Sequence, residues 1–165
     1  MSLQKSIDEV KMIFPLWKSK SRIIGRAGEI YCYKNMKCIK CNASDWKECT
    51  INEKSKDQIC KKCNKKYQIK CKNISKNYYN KLKKTLKFKT IGAEYNSTLN
   101  SIKEKIDYII ILYEKENNNI IDIIHIKSNN ISENNIIPRK PLGKTAKRAG
   151  WQGCYLIFEH INFIK

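Results

Sequence analysis

Hydrophobic residues recur at helical spacing near the start of the chain. Ile7, Val10 and Phe14 fall on one face of a helix predicted over residues 3–14. A second helix is predicted over residues 21–33, because the serine-containing stretch before it favours a helix N-terminus. Two helices are therefore expected to precede the first strand.

Shorter apolar runs predict the strands. Residues 66–71 alternate polar and apolar side chains, which is typical of a half-buried strand. IDYIIILYE, residues 106–114, and IIDIIHIK, residues 120–127, are nearly continuous runs that indicate neighbouring buried strands. A helix over residues 91–105 and a last strand over residues 154–158 complete a mixed α/β sheet flanked by helices.

Composition and charge narrow the class of protein. A length of 165 residues with 41% hydrophobic and 30% charged residues fits one folded domain, residues 1–165. The formal net charge of +19 favours a polyanionic partner, most often nucleic acid, although AT-rich coding also enriches lysine on solvated surfaces. No apolar run reaches the roughly 18 residues that span a bilayer. The N-terminus does not resemble a secretory signal, so no membrane association and an intracellular location are expected.

Two Cys-x-x-Cys pairs carry the strongest local signal. Cys38 and Cys41 are separated by 18 residues from Cys60 and Cys63, a spacing typical of zinc ribbons. Four thiolates fill a tetrahedral site, so the predicted Zn²⁺ is structural and sits in an inserted subdomain, residues 36–66. The other four cysteines are interpreted as small core or surface residues: Cys32, Cys49, Cys71 and Cys154. Cys49 and Cys71 are also alternative zinc ligands.

A weaker pattern surrounds the first predicted strand. Gln68 and Lys70 share one face of it, and Asp57 lies near both if the chain before Cys60 pairs with this strand. An acid, a second oxygen ligand and a lysine are the components of a Mg²⁺-dependent phosphodiesterase site. On spacing alone, a solvated Asp57 and an ordinary surface Lys70 are the simpler interpretation.

The segment PRKPLGKTAKRAGWQGC, residues 138–154, closely resembles the DpnI-type restriction endonucleases, which cut adenine-methylated GATC. The similarity runs from about residue 21 to residue 158 and includes both Cys-x-x-Cys pairs. It aligns Asp57 with the acid, and residues 68–70 with the Glu-x-Lys, of the PD-(D/E)XK nuclease core. The resemblance implies a restriction-endonuclease-like α/β fold with a four-cysteine zinc ribbon.

Catalytic roles follow from this resemblance. Asp57, the Gln68 side chain and the Ile69 carbonyl would bind catalytic Mg²⁺, and Lys70 would position the attacking water. Glu29, on the second helix, falls near an acid of the family's first core helix and would support the metal. The zinc ligands implied are Cys38, Cys41, Cys60 and Cys63.

The resemblance also implies a DNA-facing block. Trp151 matches the tryptophan that contacts the adenine methyl groups, although a core tryptophan is the alternative from the residue pattern alone. The basic residues around it are Arg139, Lys140, Lys144, Lys147 and Arg148. Residues 72–89, basic with interleaved tyrosines, are a second candidate DNA-contacting strip or a solvated charged surface.

Two departures from the family shape the hypothesis. Gln68 replaces a glutamate, so the site has one negative ligand fewer and is expected to bind Mg²⁺ more weakly. The sequence ends at Lys165 without the family's C-terminal winged-helix domain, so methyl recognition is expected to depend on the catalytic domain alone.

The leading hypothesis is a Mg²⁺-dependent endonuclease that hydrolyses phosphodiester bonds in double-stranded DNA carrying N6-methyladenine in a GATC-like site. The alternative is a catalytically weak or inactive zinc-containing reader of methylated DNA. A non-specific basic DNA-packaging protein is the third hypothesis.

Overall fold

The computed structural model describes residues 2–49, 56–145 and 150–164 of the chain. Within these ranges the chain forms four α-helices and nine β-strands. In chain order they are α1 (Gln4–Ile13), α2 (Lys20–Asn35), β1 (Trp46–Glu48), β2 (Gln58–Cys60), β3 (Lys66–Asn73), α3 (Lys76–Thr85), β4 (Phe88–Glu94), α4 (Tyr95–Lys103), β5 (Asp107–Tyr113), β6 (Ile120–Ile126), β7 (Ile136–Pro138), β8 (Gly153–Phe158) and β9 (Asn162–Phe163). Among the described helices, none has the length and apolar character needed to cross a membrane.

The larger sheet contains six strands in the order β1-β2-β3-β5-β6-β9. β3 and β5 are parallel, and the other neighbours are antiparallel. The parallel pair needs a long crossover, which α3, β4 and α4 supply. Every residue of β5 is buried, which explains its nearly continuous apolar sequence. The predicted mixed α/β class is confirmed.

Two hydrophobic cores cover the two faces of this sheet. On one face α1 and α2 pack through residues such as Val10 and Ile24. On the other face lies a second sheet, in the order β4-β8-β7. The Phe158 ring is centred 5.5 Å from that of Tyr108 and 6.4 Å from that of Phe88, so aromatic packing joins the two sheets.

The prediction of a helix over residues 91–105 is wrong at its start, because the chain forms β4 before α4 begins. Phe88 and Thr90 are buried whereas Ile91 is 53% exposed, so the period is that of a strand. The change of structure falls at Glu94, whose carboxylate accepts hydrogen bonds from the N–H groups two and three residues later. These bonds cap α4.

The other predicted elements are present with small changes of boundary. The helices over residues 3–14 and 21–33 correspond to α1 and α2, and the apolar runs correspond to β5 and β6. The predicted strand over residues 154–158 corresponds to β8, but it belongs to the second sheet. The basic strip over residues 72–89 contains α3, between the end of β3 and the start of β4.

A glycine allows α2 to approach β3 closely. A Cβ atom at Gly28 would lie 2.2 Å from the Cys71 Sγ, and it would also contact side chains of Ile69 and Ile111. At Gly25, in the same helix, a Cβ atom would meet nothing within 4 Å. Only Gly28 is therefore required by the packing of the helix on the sheet.

We predict opposite effects of alanine at these two glycines. Gly28→Ala should lower the free energy of unfolding by about 1–3 kcal/mol, because the added methyl group overpacks the interface. Gly25→Ala should raise it by up to about 1 kcal/mol through helix propensity. Urea denaturation measures both, and adding Cys71→Ala should restore part of the Gly28→Ala loss. Equal stability of the two single variants would contradict the close approach.

Candidate active site and metal centre

The pairing of β2 with β3 brings Asp57 beside the catalytic strand predicted from the sequence. Gln58 is opposite Tyr67 in the antiparallel register. The Asp57 N–H donates to the Tyr67 carbonyl at 2.9 Å, and the Asp57 Oδ2 accepts from the Ile69 N–H at 2.6 Å. Continued by one position, this register places Asp57 opposite Gln68. The strand pairing that the sequence argument required is therefore present.

Gln68 and Lys70 lie on the other face of β3 from the helix-covered core. Both side chains are half-buried, whereas Tyr67 and Ile69 point into the core beneath α2. Burial lowers the pKa of the Lys70 ammonium, and the neighbouring Asp57 carboxylate opposes this change. Asp57 and Lys70 are thus close enough to interact electrostatically.

Two carboxylates, those of Asp57 and Glu29, interact electrostatically at this point. Burial, and after it the Glu29 carboxylate, raise the pKa of Asp57, which lies at about 6. The Ile69 N–H, and more weakly Lys70 and Arg26, act in the opposite direction. Mutual repulsion of two carboxylates raises the pKa, and a bound divalent cation would relieve that repulsion. Carboxylate oxygens are also ligands that such a cation accepts.

The position of Glu29 is fixed by contacts that the sequence did not reveal. The Gln58 Nε2 donates to the Glu29 backbone carbonyl at 2.6 Å, and the Arg26 Nη1 donates to the Glu29 Oε2 at 2.7 Å. Gln58 is completely buried, and its Oε1 has no hydrogen-bond partner among the described residues. Gln58 and Glu29 are 29 residues apart, so no local pattern could have indicated this link between α2 and β2.

The four cysteines of the two Cys-x-x-Cys pairs form one cluster. Their sulfur atoms all lie within 4.8 Å of one another. The Cys38 and Cys63 Sγ atoms are 3.6 Å apart, and those of Cys41 and Cys60 are 3.5 Å apart. Four sulfur donors around one point fit a closed tetrahedral zinc site, as predicted, which leaves no position for a substrate.

The pKa values of the cysteine thiols link metal binding at this cluster to the release of protons. Burial acts to raise the pKa of Cys38, but hydrogen bonds from the Tyr67 hydroxyl and nearby backbone N–H groups lower it to about 6. Burial raises the pKa of Cys60 and Cys63. Cys60 and Cys63 therefore keep their protons more strongly than free thiols, and metal binding there would release protons.

The predicted DNA-facing loop starts as a continuation of the β7–β8 hairpin. The Arg139 N–H donates to the Gly153 carbonyl at 2.9 Å, and the Leu142 N–H donates to the Trp151 carbonyl at 3.0 Å. The Trp151 ring lies across Gly153, where a Cβ atom would be only 3.0 Å from it. Trp151 is half-buried, so part of its ring is accessible.

The charged residues of this loop divide into two groups. Arg139, Lys140 and Lys144 are exposed. Lys147 and Arg148 lie outside the described residues. The loop leads directly into β8, where the Cys154 thiol interacts electrostatically with Lys70. The fold thus brings β8, the strand that follows Trp151, close to Lys70 of β3.

One comparison with known proteins bears on this arrangement. A family model described as DpnI: Dam-replacing family matches residues 9–163. The match includes all the candidate catalytic, cysteine and loop residues.

We predict one zinc ion per chain, bound by the cysteine cluster. Cys41→Ser should abolish stoichiometric zinc, measured by elemental analysis, and should lower the free energy of unfolding because zinc-site energy is folding energy. Cys71→Ala, whose sulfur is outside the cluster, is the matched control and should retain zinc. Full zinc content in Cys41→Ser would contradict the assignment.

We predict that Asp57 destabilises the fold at neutral pH. Its pKa in the folded protein, about 6, exceeds its ordinary value of 3.8, so between these pH values the folded state binds more protons than the unfolded state. The free energy of unfolding should therefore fall as pH rises through this window. Asp57→Asn retains an oxygen for the Ile69 N–H and should be more stable than the wild type at neutral pH by about 2 kcal/mol.

The measurement is urea denaturation of both proteins at several pH values without Mg²⁺. The difference between them should shrink toward low pH, where the Asp57 carboxyl is protonated. Parallel stability profiles of wild type and Asp57→Asn would contradict the raised pKa.

Proposed function

Because the chain belongs to the DpnI, Dam-replacing family, we propose that it is a Mg²⁺-dependent endonuclease that cuts double-stranded DNA containing N6-methyladenine in a GATC-like site. The family implies a methylation-dependent restriction endonuclease that acts on DNA. The observation that carries the proposal is the hydrogen bond between the Asp57 Oδ2 and the Ile69 N–H, within the strand that bears Gln68 and Lys70. The substrate implies an intracellular site of action.

The residues around Asp57 fit a hard divalent cation. Carboxylate, amide and carbonyl oxygens are the ligands that Mg²⁺ accepts, and Asp57, the Gln68 side chain and the Ile69 carbonyl would provide them. Glu29 adds a second negative charge beside Asp57. When bound, Mg²⁺ supplies Lewis-acid polarisation of the phosphodiester and lowers the pKa of a water molecule.

Lys70 is the residue that acts on the water and the phosphate. Its ammonium group stands on the Gln68 face of β3 near Asp57, where burial lowers its pKa. In the proposed reaction it orients the attacking water and stabilises the negative charge that develops on the phosphate oxygens. Water attacks phosphorus directly, and the bond from phosphorus to the leaving sugar oxygen breaks, so no covalent enzyme intermediate forms.

Gln68 makes this site weaker than one with a glutamate. The amide oxygen can serve as a ligand but adds no charge, so the cation is held mainly by Asp57 with Glu29 nearby. The proposal therefore includes a low affinity for Mg²⁺ and slow cleavage.

DNA recognition is assigned to the loop before β8. The accessible part of the Trp151 ring offers an apolar surface for methyl groups in the major groove. Arg139, Lys140 and Lys144 are exposed and carry charges suited to phosphates. The same role is proposed for Lys147 and Arg148.

The test is cleavage of plasmid DNA prepared with and without adenine methylation, in Mg²⁺ and in Mn²⁺. The wild type should cut the methylated plasmid only, and Asp57→Ala should cut neither. Failure to cut either plasmid in both metals would overturn the enzymatic proposal.

We predict that Gln68→Glu increases the cleavage rate at limiting Mg²⁺ by about tenfold or more, because it restores a negative ligand. A Mg²⁺ titration of the initial rate measures the effect, and the gain should shrink at saturating Mg²⁺. Gln68→Met, similar in size without a ligand oxygen, is the control and should lose activity. No change in either variant would mean that residue 68 does not contact the metal.

The second candidate function is a catalytically inactive reader of methylated DNA, which the uncharged Gln68 favours. A reader would bind methylated duplex with the same affinity in wild type and Asp57→Ala and would cut nothing. Trp151→Ala should remove the preference for methylated over unmethylated duplex under either function.

A further inference from the structure

A cavity of about 450 Å³ lies beyond the candidate active site, where the end of β3 meets β4. Lys72 from β3 and Tyr78 from α3 line one side of it, and Lys89 from β4 and Tyr155 from β8 line the other. Lys72 follows Lys70 on the same face of β3, so the cavity continues the catalytic face of that strand.

The Tyr155 ring holds two cations at the edge of this cavity. The Lys89 Nζ is 4.4 Å from the ring centroid and the Arg139 Cζ is 5.4 Å from it. The register explains the arrangement. Tyr155 pairs with Ile91 on one side and Ile137 on the other, so both cations are diagonal neighbours on the same face of the second sheet. Each contact with the ring is favourable, but the two like charges repel each other.

No carboxylate neutralises these charges. Within the described part of the chain, Lys72, Lys89 and Arg139 form no ion pair, and no acidic residue lines the cavity. Other lysines of the same basic stretch do have acidic partners, as in Lys87 with Glu159 at 2.9 Å. An anion between the unpaired cations would relieve their repulsion.

The position of the cavity fits the repeat of a DNA strand. Lys70 and Lys72 are two residues apart on one face of β3, which separates their Cα atoms by about 7 Å. Each strand of B-DNA carries a phosphate about every 3.4 Å along the helix axis. A separation of about 7 Å corresponds to about two such steps, so a strand with its scissile phosphate at Lys70 would present a nearby phosphate to Lys72. Lys89 lines the same cavity as Lys72. Arg139 contacts the same Tyr155 ring at the start of the loop that contains Trp151.

We propose that Lys72, Lys89 and Arg139, arranged around Tyr155, form a groove that binds backbone phosphates of the DNA strand beside the scissile bond. The inference rests on the proposed function in taking duplex DNA as the ligand. It adds Lys72, Lys89 and Tyr155, which lie outside the loop that reads the methyl groups. Tyr155 is a positioning residue, because its ring holds Lys89 and Arg139 at the groove.

The test is the salt dependence of binding to a short fluorescent duplex, measured by anisotropy with the full chain. No divalent cation is added, so the DNA stays intact, and no chelator is used, so the cysteine site keeps its metal. Lys72→Ala and Lys89→Ala should each reduce the slope of log K against log[NaCl] by about one. The loss of affinity should be equal for methylated and unmethylated duplexes, because phosphates carry no methyl information.

Lys84→Ala is the matched control. Lys84 is exposed on α3 in the same basic stretch but does not line the cavity, and its removal changes the net charge by the same amount. Its slope should equal that of the wild type. If Lys72→Ala and Lys89→Ala give the same slope as Lys84→Ala, the groove proposal is overturned.

Two variants of Tyr155 test its positioning role. Tyr155→Phe retains the ring and should bind as the wild type does, whereas Tyr155→Leu should bind about two- to fivefold more weakly at low salt. Equal affinity of these variants would overturn that role.

The groove and the proposed function can fail separately. If the wild type cuts methylated DNA but the lysine variants keep the full salt slope, only the groove proposal is refuted. Wild type that binds DNA with the predicted slopes but cuts nothing refutes only the nuclease.

Discussion

The pairing of β2 with β3 is the constraint on which the candidate site depends. Asp57 is held through its backbone by the Tyr67 carbonyl and through its carboxylate by the Ile69 N–H. The same two strands contribute to the cysteine cluster, since Cys60 ends β2 and the Tyr67 hydroxyl lies 3.3 Å from the Cys38 Sγ. The cysteine cluster and the acid of the proposed active site are therefore both attached to this pair of strands.

The charges of the site are arranged for a ligand and not for the stability of the empty fold. Partial burial and the nearby Glu29 disfavour the charged form of Asp57, and burial also disfavours the charged form of Lys70. Groups held in this way cost folding free energy that the surrounding packing must offset. The two hydrophobic cores and the cysteine cluster provide that packing around β3. A cation and a phosphate would satisfy these charges together.

The sequence predicts the local features of this site and misses those that join distant elements. The Cys-x-x-Cys spacing locates the cluster because each pair is one tight turn, and the alternation around Gln68 and Lys70 identifies their strand. The helix predicted from residue 91 is wrong at its start, because β4 is recognisable only through its pairing with β8. The Gln58 bond to Glu29 and the two cations on Tyr155 depend on elements far apart in the chain, so no spacing could reveal them.

In the proposed site, Asp57, Gln68 and the Ile69 carbonyl bind one divalent cation against the scissile phosphate. Anomalous diffraction from crystals of the protein with Mn²⁺ and a methylated duplex would locate that cation. We expect an anomalous peak bounded by these three oxygen ligands, with the Lys70 ammonium on the adjacent phosphate. A fully occupied manganese site elsewhere, with none beside Asp57, would contradict this expectation.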